Sequence, residues 1–473
     1  MKLAVIGAGW AGLAAALRLQ RLGHSVSVFE AGRTPGGRAR RLRALGGAMD
    51  NGQHILLGAY TETLGLMREL GRDPDALLYR ETLRLEAADG RFRLHAPALP
   101  APLHLLAALW GARGLGWKDR YAIARLLAAL RSNGWRVAPG LNVAQWLADG
   151  RQSADALRTL WQPLCVAALN TPMELACAQL FAWVLRDSVG GPRSASDILI
   201  PRVDLSALWP DRAAERLAGG GCASDAGGDE TEQAGRSRRK QGRTGLRLGH
   251  AVRLLSCGTD GAMVDGEAFD GAIVACNTPS TLRLLRRLPP CPGSEEYLSM
   301  LGAFRFIPIA TISLKLARPW GLPRPMLLLR DDPSRLRFGQ WLFDKSSPAL
   351  GSPAEPAGAA LACAALAHIV VSDAQAMQAY PQGLVVAAAA QQAREQTAQH
   401  APMPDILDHA VVVEKRATFA ATPGLARPSN ATPWPRIWVA GDWTDTGYPG
   451  VLEGAVRSGL RAAQHADALF RGA

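Results

Sequence analysis

Gly7-Ala8-Gly9-Trp10-Ala11-Gly12 is the stretch that decides the fold. Before it, Lys2-Leu3-Ala4-Val5-Ile6 is a short apolar run, the pattern of a strand buried on both faces. After it, residues 10–22 place Leu13, Leu17 and other apolar side chains at helical spacing, and Gly23 closes that helix. Residues 25–29, Ser-Val-Ser-Val-Phe, read as a second strand ended by Glu30, which lies 23 residues beyond Gly7. Strand, G-x-G-x-x-G turn, helix and a second strand ending in an acid open a dinucleotide-binding βαβ unit. Gly7 permits the tight turn, Gly9 lets main chain approach a pyrophosphate, and Gly12 lets helix and strand pack closely. Trp10 and Ala11 begin the helix whose positive end faces the phosphates. Glu30, with Ala31 beside it, is placed to accept hydrogen bonds from ribose hydroxyls.

Three features further out point to FAD rather than NAD. Gly36-Gly37-Arg38 follows Glu30 by a short loop, where main chain can approach a cofactor and the Arg38 fork can pair with a phosphate. Far along the chain, Ile437-Trp438-Val439-Ala440 reads as a strand ending at Gly441-Asp442, where a carboxylate or N–H can meet a ribityl or pyrophosphate oxygen. A closing helix, about Val451 to Leu469, starts after Pro449-Gly450, and its N-terminus can stabilise negative charge on a reduced flavin.

The 473 residues are too many for one hydrophobic core, so interleaved domains are expected. A 48% hydrophobic, 20% charged composition is globular. The net charge of +12 suits an anionic ligand or lipid surface, but no nucleic-acid-binding motif accompanies it, and nucleic acid is not an expected partner. Cys165, Cys177, Cys222, Cys257, Cys276, Cys291 and Cys363 are scattered without a C-x-x-C pair, which reads as reduced thiols in the cytoplasm with no metal site. Lys2 and the apolar stretch behind it imitate a signal peptide, but three glycines interrupt it and Arg18 and Arg21 follow, so it reads as mature structure. No run of 18 apolar residues suggests a membrane-spanning helix.

Between Leu99 and Arg136 the pattern is helical, with Trp110, Trp117 and Tyr121 interleaved with Arg113, Lys118, Arg120 and Arg125. Two readings stand: two amphipathic helices of a substrate domain, or a basic, Trp-bearing face that rests on a membrane. Residues 218–245 almost lack large apolar side chains and read as a disordered surface insertion. Beyond it, strands are expected at Leu246–His250, Val252–Ser256, Met263–Val264 and Ala272–Cys276, with a hairpin at Gly258-Thr259-Asp260-Gly261. Further strands are expected at Pro308–Leu316, Leu361–Val371 and Val411–Phe419.

The cofactor motifs together resemble the FAD-binding amine oxidase and phytoene desaturase superfamily. Other segments narrow the likeness: Asp50-Asn51-Gly52-Gln53-His54-Ile55-Leu56-Leu57-Gly58-Ala59-Tyr60, Pro163–Pro172, Pro201-Arg202-Val203-Asp204-Leu205, Lys415–Phe419, Gly441-Asp442-Trp443-Thr444 and Glu453–Gly459. These are similar to the hydroxysqualene dehydroxylase family of squalene and hopanoid biosynthesis, over nearly the whole chain except 218–245.

The resemblance implies an α/β fold, a Rossmann-like FAD-binding domain interleaved with a mixed-sheet-plus-helices substrate domain. The FAD-binding domain would comprise 1–75, 201–280 and 426–473, with a helical, membrane-facing substrate segment at 76–200 and its sheet portion at 281–425. It implies reductive loss of the hydroxyl of a long-chain isoprenoid alcohol, an allylic carbinol. It also implies coupling to squalene-forming synthases and residence in the cytoplasm or peripherally on the inner face of the cell membrane. His54 is the candidate acid, with Asp50 orienting it or acting alone; the alternative is that this segment only builds the loop under the flavin. Tyr448 flanks the substrate or only packs. Asn170 binds the substrate hydroxyl or caps a helix. Val252 is where the resemblance places a main-chain contact to adenine, and Gly450 and Val451 fall beside the flavin. Competing functions are a carotenoid-type desaturase, an amine oxidase, and a non-catalytic flavin-bearing subunit.

Overall fold

The structure is a computed structural model that describes residues 1–219, 245–351 and 365–471. The insertion read at 218–245 falls almost wholly outside the described residues, as do Cys222, Cys363 and the start of the strand expected at 361–371.

The apolar run at the N-terminus forms strand Lys2–Ile6, and the next forms Ser25–Glu30, joined by helix Trp10–Arg21. They lie at the centre of a five-stranded sheet in the order Gly245–Leu248, Ser25–Glu30, Lys2–Ile6, Gly271–Val274, Ile437–Val439. Every neighbouring pair is parallel, and Val5 sits opposite both Val28 and Ile273. Parallel strands need covered faces. Helix Leu452–Arg471 supplies one cover by packing on helix Trp10–Arg21, and the two share a buried core of Leu13, Ala14, Leu17, Val456, Ala462 and Ala463. In the chain between strands Gly245–Leu248 and Gly271–Val274, the strands Leu255–Cys257, Ala262–Val264 and Glu267–Phe269 form a small antiparallel sheet. Its first turn is the expected hairpin, closed by Gly258 N–H donating to Gly261 O at 2.9 Å. Its third strand carries no turn signal of its own beyond Asp265-Gly266 and was not expected.

A second five-stranded sheet is antiparallel, in the order Met326–Leu328, Trp341–Asp344, Ala365–Ser372, Phe306–Leu316, Ile406–Phe419. Side chains alternate across it with period two. Leu342, Ile369, Val371, Ala310 and Ile312 point to a core shared with helix Gln382–Gln396. Trp341, Phe343, Val370, Ser372 and Ile309 point the other way, into a cavity. The strand expected at 411–419 is longer, Ile406–Phe419, because it continues its pairing with Phe306–Leu316 through a register shift.

Helices Leu103–Trp110 and Trp117–Ser132 realise the two expected between 99 and 136. With Gln162–Leu169 and Ala178–Ser188 they wall the cavity opposite the sheet, and Val143–Asp149 packs behind. An edge-to-face cluster of Trp146, Trp161 and Phe181, with ring centroids 6.2–6.3 Å apart, locks these helices together. Among the described residues, no helix is long and apolar enough to cross a membrane.

Candidate active site

The cavity has a volume of about 1280 Å³ and runs from the glycine turn into the space between the antiparallel sheet and the helices. Drug-sized pockets hold roughly 300–1,000 Å³, so this one has room for more than a single small ligand.

Its first end is main chain. Gly7 adopts φ +110°, and a Cβ there would lie 2.5 Å from Ala275 O. Gly37 adopts φ +62°, and its Cβ would lie 2.9 Å from Gly9 Cα. Both turns therefore require glycine, and between them they leave a cradle bordered by Gly7, Gly9, Trp10, Ala11, Gly36 and Gly37. No side chain caps helix Trp10–Arg21 at Gly9, so its first N–H groups and its positive end remain available to an anion. Gly12 does not line the cavity. It holds helix to strand, since a Cβ there would lie 1.9 Å from Gly7 O.

Glu30 ties the cradle together. Its Oε2 accepts from Ala8 N–H at 2.7 Å and its Oε1 from Gly32 N–H at 2.6 Å. Ala31, Val252, Gly441, Asp442, Gly450 and Val451 border the same space. Arg38 departs from expectation. Its fork donates to Asp442 Oδ1 at 2.6 Å, to Arg416 O at 3.2 Å and to Ala417 O, so it joins three chain segments rather than offering itself to a phosphate. Trp10 likewise turns its ring inward, donating Nε1–H to Ala39 O at 3.1 Å and packing edge-on to Trp209.

The loop 441–451 is held by Arg427. Its guanidinium donates to Asp442 O at 2.8 Å, Trp443 O at 3.3 Å, and the carbonyls of Thr444 and Tyr448, and stacks over Phe419 at 4.7 Å. Burial pushes its pKa down to about 10. Glu453, fully buried in the first turn of the closing helix, accepts from Glu62 N–H at 3.1 Å, Thr63 N–H at 3.0 Å, Thr63 Oγ1 at 2.7 Å and Arg457 Nε at 2.8 Å. It thereby caps helix Thr61–Glu69 from across the fold.

With this geometry in place, relatives can be compared. A family model described as flavin containing amine oxidoreductase matches residues 10–466. The chain belongs to that family. It is 28% identical to a hydroxysqualene dehydroxylase of Rhodopseudomonas palustris, over 97% of this chain and 96% of the relative. It is 26% identical to a hydroxysqualene dehydroxylase of Zymomonas mobilis, over 97% of both. An oxidoreductase of Methanosarcina mazei shares the fold, with a TM-score of 0.68 at 18% identity over 98% of this chain and 100% of that one. A flavin is thus the cofactor of this family's site, and the glycine cradle with its open helix N-terminus offers main-chain N–H groups to an anionic part of it.

The remaining expected residues divide. His54 and Tyr448 line the flavin oxidoreductase's cavity; Asp50 does not. His54 Nδ1 lies 2.9 Å from Gly52 O, an arrangement that requires the proton on Nδ1 and leaves Nε2 as an acceptor. Burial lowers its pKa below the usual histidine range, with Arg38 adding to the effect. His54 thus lines the cavity with its Nδ1 proton committed to Gly52 O. Asp50 does not orient it: its carboxylate accepts Leu205 N–H at 2.7 Å, and burial raises its pKa to about 7. Asn170 ends helix Gln162–Leu169 with φ 46°. Its Nδ2 donates to Thr418 Oγ1 at 3.0 Å and its Oδ1 accepts Asp373 N–H at 3.1 Å, so it caps the helix end with its amide engaged at the cavity wall. Tyr448 is buried, its ring under Arg457 at 4.6 Å; burial, then the Asp187 carboxylate, raises its pKa.

Sequence alone does not point to Arg427, Glu453 or Asp187. Glu453 lay inside a family-like segment, whereas Arg427 sits in a Pro-rich connection and nothing local marks it.

Proposed function

We propose that this chain is an FAD-dependent oxidoreductase that removes the hydroxyl of hydroxysqualene reductively to give squalene. The observation that carries the reading is the continuity of the cavity. The glycine cradle opens directly into a channel walled by Leu85, Leu94, Ile123, Leu127, Trp161, Phe181, Trp341 and Phe343. Such walls offer a long hydrocarbon about 0.8 kcal/mol for each methylene buried and make no demand for charge on the ligand. Glu30 and Val252 border the end where adenosine would lie, which favours FAD over a mononucleotide.

Hydroxysqualene and reduced flavin give squalene, water and oxidised flavin, so hydrogens and electrons balance without another reductant in that half-reaction. Bound reduced FAD would supply the hydride that replaces the hydroxyl. The chain's own residues do the rest. The cradle and the uncapped helix hold the pyrophosphate. The apolar channel places the allylic carbon and excludes water, so that a delocalised cation is not captured again. Tyr448 and His54, both on the cavity wall, would orient the carbinol, and the proton that departs with its oxygen as water would be the second hydrogen of the reduced flavin.

We assign segments 1–75, 201–280 and 426–473 to the FAD half and 76–200 and 281–425 to the substrate half. An isoprenoid alcohol of this length resides in lipid, so the proposal includes peripheral contact with the inner face of the cell membrane and coupling to the synthases that form squalene precursors. The test is an anaerobic incubation of the pure protein with reduced FAD and hydroxysqualene, followed by product analysis. Squalene supports the reading. Phytoene dehydrogenation without squalene formation replaces it with a desaturase, and turnover only with partner synthases replaces it with an assembly subunit.

A further inference from the structure

The helices that wall the cavity on its outer side have two apolar faces. Leu103, Leu106 and Trp110 follow one stripe of helix Leu103–Trp110, and Trp117 and Tyr121 follow one stripe of helix Trp117–Ser132. All five point to solvent: Trp110 is 71% exposed, Trp117 73% and Tyr121 63%. With Leu99 they make six of the fifteen exposed large hydrophobic residues among those described, gathered within one short segment. Scattered apolar side chains need no explanation, whereas a contiguous set does. The inner faces of the same two helices contribute Leu105, Leu109, Ile123, Ala124 and Leu127 to the cavity wall. Leu106 belongs to both faces, half-exposed and lining the cavity, and so marks where the cavity meets the surface.

The charge around the patch is one-sided. Residues 99–136 carry six basic side chains, Arg113, Lys118, Arg120, Arg125, Arg131 and Arg136, against a single acid, Asp119. That acid is turned inward, accepting from Gly116 N–H at 3.1 Å and Ser153 Oγ at 2.7 Å. Arg120 donates to the carbonyls of Trp110, Ala112 and Leu115, which ties both helices and their connection into one rigid platform. Exposed tryptophan and tyrosine with basic side chains beside them describe in-plane contact with an anionic bilayer.

We infer that this helix pair docks on anionic lipid and that the apolar substrate passes from the bilayer into the cavity between the two helices, past Leu106. The inference rests on the hydrocarbon substrate proposed above and deepens it by naming the port. Trp110, Trp117 and Tyr121 sit at the headgroup level, Lys118 and Arg125 meet lipid phosphates, and the substrate need never cross bulk water.

The test uses the full chain with flavin bound. Sedimentation with vesicles of phosphatidylcholine and phosphatidylglycerol should carry the protein down. Pure phosphatidylcholine vesicles should bind it on the order of tenfold more weakly, and added salt should weaken the anionic binding. Trp110→Ser with Trp117→Ser should lose vesicle binding on the order of tenfold or more while keeping the flavin, which shows that the variant is folded. Leu106→Trp keeps an apolar side chain on the docking stripe and should slow reoxidation of reduced flavin by vesicle-borne substrate, compared at equal vesicle-bound protein. Wild type that stays in solution with anionic vesicles overturns the docking. So does a double Trp variant that binds as wild type does, or one that instead converts a dimer to a monomer, which would make the patch a contact between copies. Unchanged reoxidation in Leu106→Trp overturns the port. Vesicle binding with no turnover of hydroxysqualene leaves the docking standing and removes the substrate reading.

Discussion

Replacing Gly459 with alanine should separate the closing helix from the cofactor turn. Helix Leu452–Arg471 crosses helix Trp10–Arg21 at this glycine, where an added Cβ would lie 2.1 Å from Ala11 O, 3.0 Å from Ala11 C and 3.1 Å from Ala15 N. All three are main-chain atoms, so no side chain can swing aside. Non-bonded heavy atoms rest at about 3.5 Å, and the helices must part by on the order of 1 Å to recover that. Overpacking of this kind costs about 1–3 kcal/mol, and the rigidity of both partners places the change at the upper end. The displaced helix carries Gly450 and Val451 at its start, and these border the cavity opposite the glycine cradle. A loss of about 3 kcal/mol, if it falls on binding, raises the dissociation constant of FAD on the order of 10²-fold. Titration of apoprotein with FAD, followed by flavin fluorescence, reads this directly, and thermal unfolding with and without FAD reads the rest. Gly65→Ala is the control: it lies in helix Thr61–Glu69 with open space around the added Cβ, and should be stabilised by about 0.5–1 kcal/mol. If Gly459→Ala binds FAD and unfolds as wild type does, the close helix crossing is not what joins the two ends of the chain at the cofactor.

Three other perturbations are informative. Arg427→Met removes the donors that hold the carbonyls of 442–448; with each charged hydrogen bond worth about 1.5–3 kcal/mol, it should purify with depleted flavin and a lowered Tm, and normal flavin content would refute the clamp. Asp50→Asn keeps an acceptor for Leu205 N–H but removes a carboxyl whose pKa burial raises from 3.8 to about 7. The folded state prefers that group protonated, so its charging penalty is absent at acid pH, grows through the interval between those values and is complete above the upper one. The variant should therefore gain in Tm relative to wild type as pH rises through that interval, and a constant difference would refute the assignment. Asn170→Ala should lose about 2–3 kcal/mol, from an unsatisfied Asp373 N–H and a left-handed backbone, with KM for substrate unchanged; a raised KM at unchanged stability would restore Asn170 as a substrate ligand.

What the sequence disclosed depends on how far apart the interacting groups lie along the chain. The turn Gly7–Gly12, the helix behind it and Glu30 interact within one βαβ unit, so spacing alone located them. The sheet strand Ala365–Ser372 was legible because its apolar run is dense on both faces, one toward helix Gln382–Gln396 and one toward the cavity. Arg38 borders the cavity, but its partners are Ala417 and Asp442, about four hundred residues away, and no local pattern announces them. The same holds for Asn170, whose contacts come from Thr418 and Asp373. Glu453 and Arg427 act at helix ends and loop carbonyls contributed by other segments, so their residue types are uninformative until the chain is folded. The short strand Glu267–Phe269 was missed because three residues carry too little periodicity to stand out from a turn.

The corrected residues share one physical pattern. Arg38, Asp50 and Asn170 were all aimed by their chemistry at a ligand, and all three direct polar atoms to other parts of the protein. The groups with capacity left at the cavity are different in kind: main-chain N–H groups at the glycine turn and at an uncapped helix, and the lone pairs of His54 and Tyr448. Main-chain donors need no reorganisation to meet a pyrophosphate. Side chains already satisfied within the protein have no need of cavity water. A chamber that joins an anionic cofactor to a hydrocarbon channel needs both properties, because water retained near the reacting carbon would compete with hydride for the cation. The engaged side chains are therefore part of how the cavity can serve this chemistry. They fix the loops that shape it, and they leave the ligand to the backbone at one end and to apolar walls at the other.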